Sequence, residues 1–205
     1  MEEPEERVER DESGRPMRRY QLAGGVLHGP WTAWNDDGTV AQKGHFAEGL
    51  LDGELQQYDA AGRLAATLSY RAGKLHGEAR YFDAGRLQLK IDYLDGLQDG
   101  ETVIFDDQGR PTTKQQFRAG VLHGLSSWFR PDGTLVRTAE YADGRLDGES
   151  VQYDAGGRVI ERATWRADEL HGPMLRYAAD GVTREKVTFE HGKQVGEPVP
   201  YGARR

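Results

Sequence analysis

The sequence contains no cysteine. This excludes disulfide scaffolds, thiol chemistry and cysteine-based zinc sites. It also has no apolar run near the roughly 20 residues that a membrane-spanning helix needs. The N-terminus has no apolar segment of the kind found in secretory signal peptides. We therefore expect a cytoplasmic protein.

The chain also has little clustered positive charge. Its formal net charge is -7, and the opening MEEPEERVERDE contributes -5 through seven acidic residues and two arginines. A chain without a basic stripe is not expected to bind nucleic acid. The first 17 residues are charged and poor in apolar side chains. We expect residues 1–17 to form a disordered acidic tail and residues 202–205 to form a short C-terminal tail.

Glycine is abundant, and its spacing is regular. A Leu-His-Gly or Leu-Asp-Gly motif, with some variants, recurs every 24 residues, with one interval of 23. A fixed period of this kind indicates a repeat architecture of about eight units over residues 18–201. The motif glycines are Gly29, Gly53, Gly77, Gly100, Gly124, Gly148, Gly172 and Gly196.

Aromatic residues follow the same period in two columns, which together hold 15 of the 19 aromatic residues. The first column lies five residues after each motif glycine, as Tyr58 and Phe82 do. The second lies seven residues before it, as Tyr70 and Tyr93 do. We expect both columns to form the core.

Each unit is predicted to contain two strands and two turns. Leu87–Tyr93 alternates apolar and polar residues, which is typical of a strand with one wet face. Arg130–Thr134 (RPDGT) predicts a type I turn with a glycine bulge. Asp95-Gly96 predicts a tight type I′ hairpin turn. The fold class is therefore all-β, and no segment is predicted to be helical.

One irregularity is expected near His76-Gly77. Tyr70 and Leu75 pair across a hairpin and share a face, but strict alternation would send Phe82 to the opposite face. One extra residue in a β-bulge would return Phe82 to the face of Tyr70, and glycine tolerates the backbone that a bulge requires.

The repeat resembles the MORN repeat, in the variant form common in bacteria. YRAGKLHGEARYF (Tyr70–Phe82) and YADGRLDGESVQY (Tyr141–Tyr153) carry the resemblance, which extends over nearly the whole chain. Asp168 replaces an expected glycine, and Pro30 and Pro173 replace an expected glutamate. The resemblance implies an elongated antiparallel β-hairpin array in a single curved or twisted sheet.

The resemblance also implies binding rather than catalysis, with no cofactor. The expected role is protein–protein interaction, in an antitoxin-like or immunity-like form that binds a toxin or effector. Two alternatives remain open, a membrane-lipid adaptor and a cell-envelope glycan binder, the latter because WNDDGTV resembles cell-wall glucan-binding repeats. Homo-oligomers could form through the edges of an open sheet.

The residue before the first seven motif glycines alternates between histidine and aspartate, and Val195 precedes the eighth. Three roles are open to this series: a turn or bulge position, a metal ligand and a catalytic group. Equivalent positions two strands apart are separated by about 10 Å, too far to share one metal ion. We favour the turn or bulge role. The positions are His28, Asp52, His76, Asp99, His123, Asp147 and His171.

The aromatics outside the columns are Tyr20, Trp31, Tyr81 and Trp128. Tyr81, Ile104 and Trp128 each lie four residues after a motif glycine in successive units. If that position faces away from the core, they form an apolar stripe suited to a partner; the alternative is that both faces are partly buried. We identify Tyr81, Ile104, Trp128 and Trp31 as candidate partner-binding residues, and no catalytic or metal-binding residues.

Overall fold

The computed structural model describes residues 4–178 and 184–201, and over these ranges the chain consists of strands and turns without a helix. No helix in this part of the chain is therefore long and apolar enough to cross a membrane. The chain divides into two compact units, residues 1–99 and residues 100–205.

The first unit contains ten strands. They are β1 (Glu5–Arg10), β2 (Pro16–Ala23), β3 (Val26–Leu27), β4 (Gly29–Trp34), β5 (Val40–Ala47), β6 (Leu50–Leu51), β7 (Gly53–Tyr58), β8 (Leu64–Arg71), β9 (Lys74–Asp83) and β10 (Arg86–Leu94). Each strand pairs antiparallel with its neighbour in the sequence. The short strands β3 and β6 pair with the strands before them, β2 and β5. The strands β2 and β5 also pair with the strands that follow the short ones, β4 and β7.

The second unit repeats this arrangement. Its first strand, β11, begins at Leu97, and all of β11 from Gly100 onward lies in this unit. Its strands are β11 (Leu97–Phe105), β12 (Pro111–Arg118), β13 (Val121–Leu122), β14 (Gly124–Phe129), β15 (Leu135–Ala142), β16 (Arg145–Tyr153), β17 (Val159–Arg166), β18 (Glu169–Tyr177), β19 (Arg184–Glu190) and β20 (Lys193–Tyr201). Pairing again runs antiparallel from one strand to the next. The predicted all-β hairpin array is confirmed.

Both predicted turn types occur. Asp95 and Gly96 have φ angles of 50° and 89°, so both central residues are left-handed, as a type I′ turn requires. At the other turn, the Gly133 amide donates to the Arg130 carbonyl at 2.9 Å, and the Arg130 amide donates to the Thr134 carbonyl at 2.8 Å.

An Asp–Arg pair locks several of these second turns. Asp59 Oδ1 accepts from the Ala61 and Arg63 amides at 2.9 Å each, and Asp59 Oδ2 accepts from Arg63 Nε at 2.8 Å. These donors, the Arg63 amide foremost, lower the pKa of Asp59. The same arrangement joins Asp11 to Arg15, Asp106 to Arg110 and Asp154 to Arg158.

The predicted bulge is present, but its size was predicted wrongly. Leu68 pairs with Ala79 and Tyr70 pairs with Leu75, so β9 uses four residues where β8 uses two. Two extra residues leave the alternation of faces unchanged, whereas one would have reversed it. Phe82 therefore stays on the face opposite Tyr70, and the two aromatic columns lie on opposite sides of the sheet.

We name the two sides by their distance from the motif glycine. Face A carries the residues two and four positions after it, together with the column seven positions before it. Face B carries the residues three and five positions after it. Leu55 and Ala79 lie on face A, and Tyr58 and Phe82 lie on face B.

Burial is greatest along the middle of the strands. Ala79 and Ala139 on face A are fully buried, while Val103 and Val151 on face B are only 3% and 4% exposed. Both sides of the sheet therefore contribute to the core, in line with the alternative considered above. The small residues at the centre let neighbouring side chains close over them.

The N-terminal prediction needs correction. Residues 1–17 were expected to be a disordered tail, but β1 (Glu5–Arg10) pairs with β2 from Glu5 opposite Leu22 to Arg10 opposite Pro16. Backbone hydrogen bonds form a strand without any need for apolar side chains, so composition alone misjudged this segment. The predicted tail at 202–205 lies outside the described residues.

Candidate binding site

Face A of the first unit carries a continuous uncharged cluster. Its buried centre is Leu55, Ala66, Leu68 and Ala79. Six partly buried side chains pack against this centre, and none of them is charged: Trp31, Leu51, Tyr70, Leu75, Tyr81 and Tyr93. The closely packed strand pairs of this unit are all neighbours in the sheet. Within the described residues of the unit, no second layer covers face A.

Three tyrosines lie together on this face. Tyr81 sits opposite Ala66 on one side and Leu89 on the other. Tyr93 and Tyr70 lie close enough to act on its hydroxyl group. Burial, followed by the nearby Tyr93 and Tyr70, raises the pKa of Tyr81. The cluster therefore presents apolar ring surface with hydroxyl groups inside it, a combination enriched at protein interfaces.

A groove of about 430 Å³ lies at the N-terminal end of the same face. It is lined by Glu9, Arg18, Tyr20, Leu22, Leu27, Trp31 and Phe46. The Trp31 and Phe46 rings pack edge to face with centroids 6.0 Å apart. The groove thus has an aromatic floor and a charged rim.

The rim of the groove is held by hydrogen bonds to Glu9. Tyr20 Oη donates to Glu9 Oε1 at 3.0 Å, and Arg18 Nη1 lies 3.5 Å from Glu9 Oε2. The hydrogen bond to Glu9 is the largest cause that raises the pKa of Tyr20. Because Glu9 comes from β1, the strand that was predicted to be disordered forms one wall of this groove.

Face B of the same unit has a different character. Glu78 forms ion pairs with Arg80 at 2.5 Å and with Lys90 at 3.3 Å. The Lys43 ammonium group lies 5.7 Å from the centre of the Tyr58 ring. Charged groups and their aromatic neighbours thus occupy face B, and face A is the more apolar side.

The structure distributes the four predicted partner-binding residues between the units. Trp31 and Tyr81 lie on face A of the first unit. Ile104 and Trp128 lie on face A of the second, where Ile104 is 41% exposed. The Arg137 guanidinium group stacks over the Trp128 ring at 5.3 Å. The sequence left open whether Tyr81 faces away from the core; it shares a face with Leu55 and Tyr70.

The His/Asp series connects successive repeats. Asp52 Oδ2 accepts from the Ala72 amide at 3.0 Å, and Asp147 Oδ2 accepts from the Ala167 amide at 3.1 Å. Each of these amides lies in the hairpin turn of the following repeat. The four histidines of the series also contact other side chains. His76 lies beside Asp95 and His123 beside Asp143. The rings of His171 and His191, and those of His28 and His45, pack edge to face. Asp99 lies in β11.

Within residues 4–178 and 184–201, no three histidine, aspartate or glutamate side chains come together as a potential metal site. The aspartates and histidines above instead contact turns and one another. Their geometry is that of repeated links between hairpins.

Residues 27–48 match the family model of the MORN repeat variant. They contain one motif glycine and the strand pair that follows it, the unit that recurs along both halves of the chain. This match is consistent with a MORN-repeat protein. A comparison with curated proteins gives no significant match.

MORN repeats commonly mediate interactions with proteins or membranes, and the family is generally a non-catalytic repeat scaffold. The sequence identifies Trp31 as a candidate binding residue but does not predict the groove around it. The sequence does contain a signal for the groove, because Tyr20, like Trp31, falls outside the two aromatic columns. Tyr20 and Trp31 come close because β2 pairs with β4, with Arg18 opposite Ala33. The strand β1, paired with β2, forms the other side of the groove.

Proposed function

We propose that this protein is a non-enzymatic scaffold of MORN-type repeats that binds another protein through face A of its first unit. The observation that carries the proposal is the uncharged aromatic surface formed by Trp31, Tyr70, Tyr81 and Tyr93, which no second layer covers within the described residues of the first unit. Exposed apolar surfaces of this kind mark contact sites in soluble proteins.

The groove at Trp31 supplies an anchor point. Tryptophan, tyrosine and arginine dominate the binding energy of protein interfaces, and Trp31, Tyr20 and Arg18 all line this groove. An apolar side chain of the partner would enter beside the Trp31 and Phe46 rings. The rim offers a carboxylate from Glu9 and a guanidinium from Arg18 to polar groups around it.

The specific partner we propose is a toxin or effector protein, the class that the resemblance to antitoxin-like repeats implies. A lipid surface is less favoured because the aromatic patch lacks the clustered lysine and arginine that anionic membranes attract. Among the described residues that line the groove, Arg18 is the one cation, and it lies beside Glu9.

The test is affinity capture from the native cell with identification of the partner, followed by matched variants. Tyr81→Ser removes a face A tyrosine and Tyr58→Ser removes a face B tyrosine, both from half-buried positions. We expect Tyr81→Ser and Trp31→Ser to weaken capture at least about tenfold, a change typical of interface hot spots. Tyr58→Ser should retain the partner.

Thermal unfolding of each variant separates lost binding from lost folding. Equal loss of the partner from the face A and face B variants, at matched stability, would refute the assignment of face A. Sedimentation with anionic lipid vesicles tests the membrane alternative, and co-sedimentation that depends on Trp31 would overturn the choice of a protein partner.

A further inference from the structure

The strand β1 is an edge strand of the first unit. Within the described residues of the first unit it pairs with β2 and with no other strand. All six of its residues, Glu5–Arg10, are exposed. An unpaired strand edge presents a row of amide and carbonyl groups that another strand can join.

The strand β20 differs in the chemistry of its backbone. Pro198 and Pro200 both lie within it, and proline has no amide hydrogen to donate to a ladder. The two prolines are two residues apart, so their missing donors fall on the same side of the strand. Prolines of this kind protect sheet edges from pairing, whereas β1 contains none.

The charges of β1 are complementary to a second copy of themselves. In an antiparallel pair centred on Val8, Arg7 of one copy lies opposite Glu9 of the other, and Glu6 lies opposite Arg10. Each pair occurs twice by the two-fold symmetry. The one opposed pair of like charge is Glu5 with Asp11, and Asp11 is already neutralised by Arg15 at 2.8 Å.

Neighbouring registers place more like charges opposite each other. Centring the pair on Arg7 opposes two arginines at the axis and places Glu5 opposite Glu9. Centring it between Val8 and Glu9 opposes Arg7 to Arg10 and Glu6 to Asp11. Like charges directly opposite destabilise a strand pair, and opposite charges stabilise it. The alternation of signs therefore selects the register centred on Val8.

We propose that two copies of this protein associate through antiparallel pairing of β1 with β1, centred on Val8. The backbone permits this register, because in an antiparallel pair the residue on the axis can occupy either a hydrogen-bonded or a non-hydrogen-bonded position. Arg7 would exchange its exposed contact with Glu5, at 2.9 Å in the single chain, for Glu9 of the second copy.

The first test uses charge reversal in the full chain, with mass measured by analytical ultracentrifugation. The wild type should form a species of twice the 22.9 kDa chain mass, and salt should weaken it. Glu6→Arg places two arginines opposite each other, and Arg10→Glu places two glutamates opposite each other. Each variant alone should dimerise at least about tenfold more weakly.

Mixing the two reversal variants should restore the dimer, because each cross-axis contact at these positions then joins an arginine of one variant to a glutamate of the other. The matched controls are Glu48→Arg and Arg71→Glu, exposed residues outside β1, which should dimerise as the wild type does. A wild type that is monomeric at all concentrations overturns the proposal. So do reversal variants that behave like their controls, or a mixture that stays monomeric.

The second test locates the contact. The natural chain has no cysteine, so Val8→Cys introduces a single thiol, and two such thiols on the axis lie within disulfide reach. Oxidation with copper–phenanthroline should cross-link Val8→Cys into a dimer. Val136→Cys is the control, since Val136 is also partly exposed, at 37% against 41% for Val8. Equal cross-linking of the two variants overturns the proposed register.

Discussion

Asp52 Oδ2 accepts a hydrogen bond from the Ala72 amide at 3.0 Å, across twenty residues of sequence. Ala72 has a φ of 46° and opens the hairpin turn of the next repeat. The aspartate of one motif thus satisfies a turn amide of the following one. The link gives the aspartate before the motif glycine a structural role between successive repeats.

The first prediction concerns this link. Asp52→Ala leaves the Ala72 amide without its side-chain acceptor and should lower the free energy of unfolding by about 0.5–1.5 kcal/mol. Asp52→Asn keeps an acceptor oxygen and should lose less. Urea unfolding measures both, with Asp36→Ala, at an exposed turn residue, as the control. Equal stability of Asp52→Ala and the control would contradict the prediction.

The second prediction concerns the bulge. Gly77 has a φ of 98°, and an added Cβ would lie 3.3 Å from the Ser69 Cβ. Gly77→Ala should therefore destabilise the protein by about 1–3 kcal/mol, from backbone strain and crowding together. Gly85 also has a positive φ, of 79°, but open space around it, so Gly85→Ala should cost less. A reversed order in thermal unfolding would count against the crowding argument.

The third prediction concerns the core of face A. Leu68 is 7% exposed, whereas Leu125 is 50% exposed. Truncating a buried leucine removes its contacts and leaves a cavity, so Leu68→Ala should cost about 2–4 kcal/mol. Leu125→Ala should cost less than about 1 kcal/mol, as surface substitutions usually do. Chemical denaturation of both variants checks the difference, and similar costs would show that the centre of the sheet is not the core.

The fourth prediction concerns acid. The Arg63 and Ala61 amides and the Arg63 side chain hold the pKa of Asp59 below its ordinary value of 3.8. The ionised carboxylate therefore stabilises the folded state fully above that value, and this contribution is lost as pH falls through the lowered pKa. Asp59→Asn should be less stable than the wild type at neutral pH, and the gap should close in acid. Thermal unfolding at several pH values measures the gap, and a pH-independent gap would exclude the charge as its origin.

Much of the architecture follows from the sequence alone. The 24-residue period, the Asp-Gly turns and the alternation of Leu87–Tyr93 are local signals, and local backbone preferences decide them. They correctly predicted hairpins, both turn types and the place of the bulge at Gly77. The recurrence of one motif along the chain carried the resemblance to the MORN repeat, which the match of residues 27–48 supports.

The tertiary structure decided what local signals cannot carry. Whether the bulge adds one residue or two depends on how β9 pairs with β8, and that count fixes which face Phe82 and Tyr81 occupy. The groove needs Glu9, Tyr20 and Trp31 from three different strands, so only strand pairing assembles it. Composition marked Glu5–Arg10 as disordered because it reports on apolar burial. The strand forms instead because its backbone can hydrogen-bond to β2, an interaction that side-chain composition does not record.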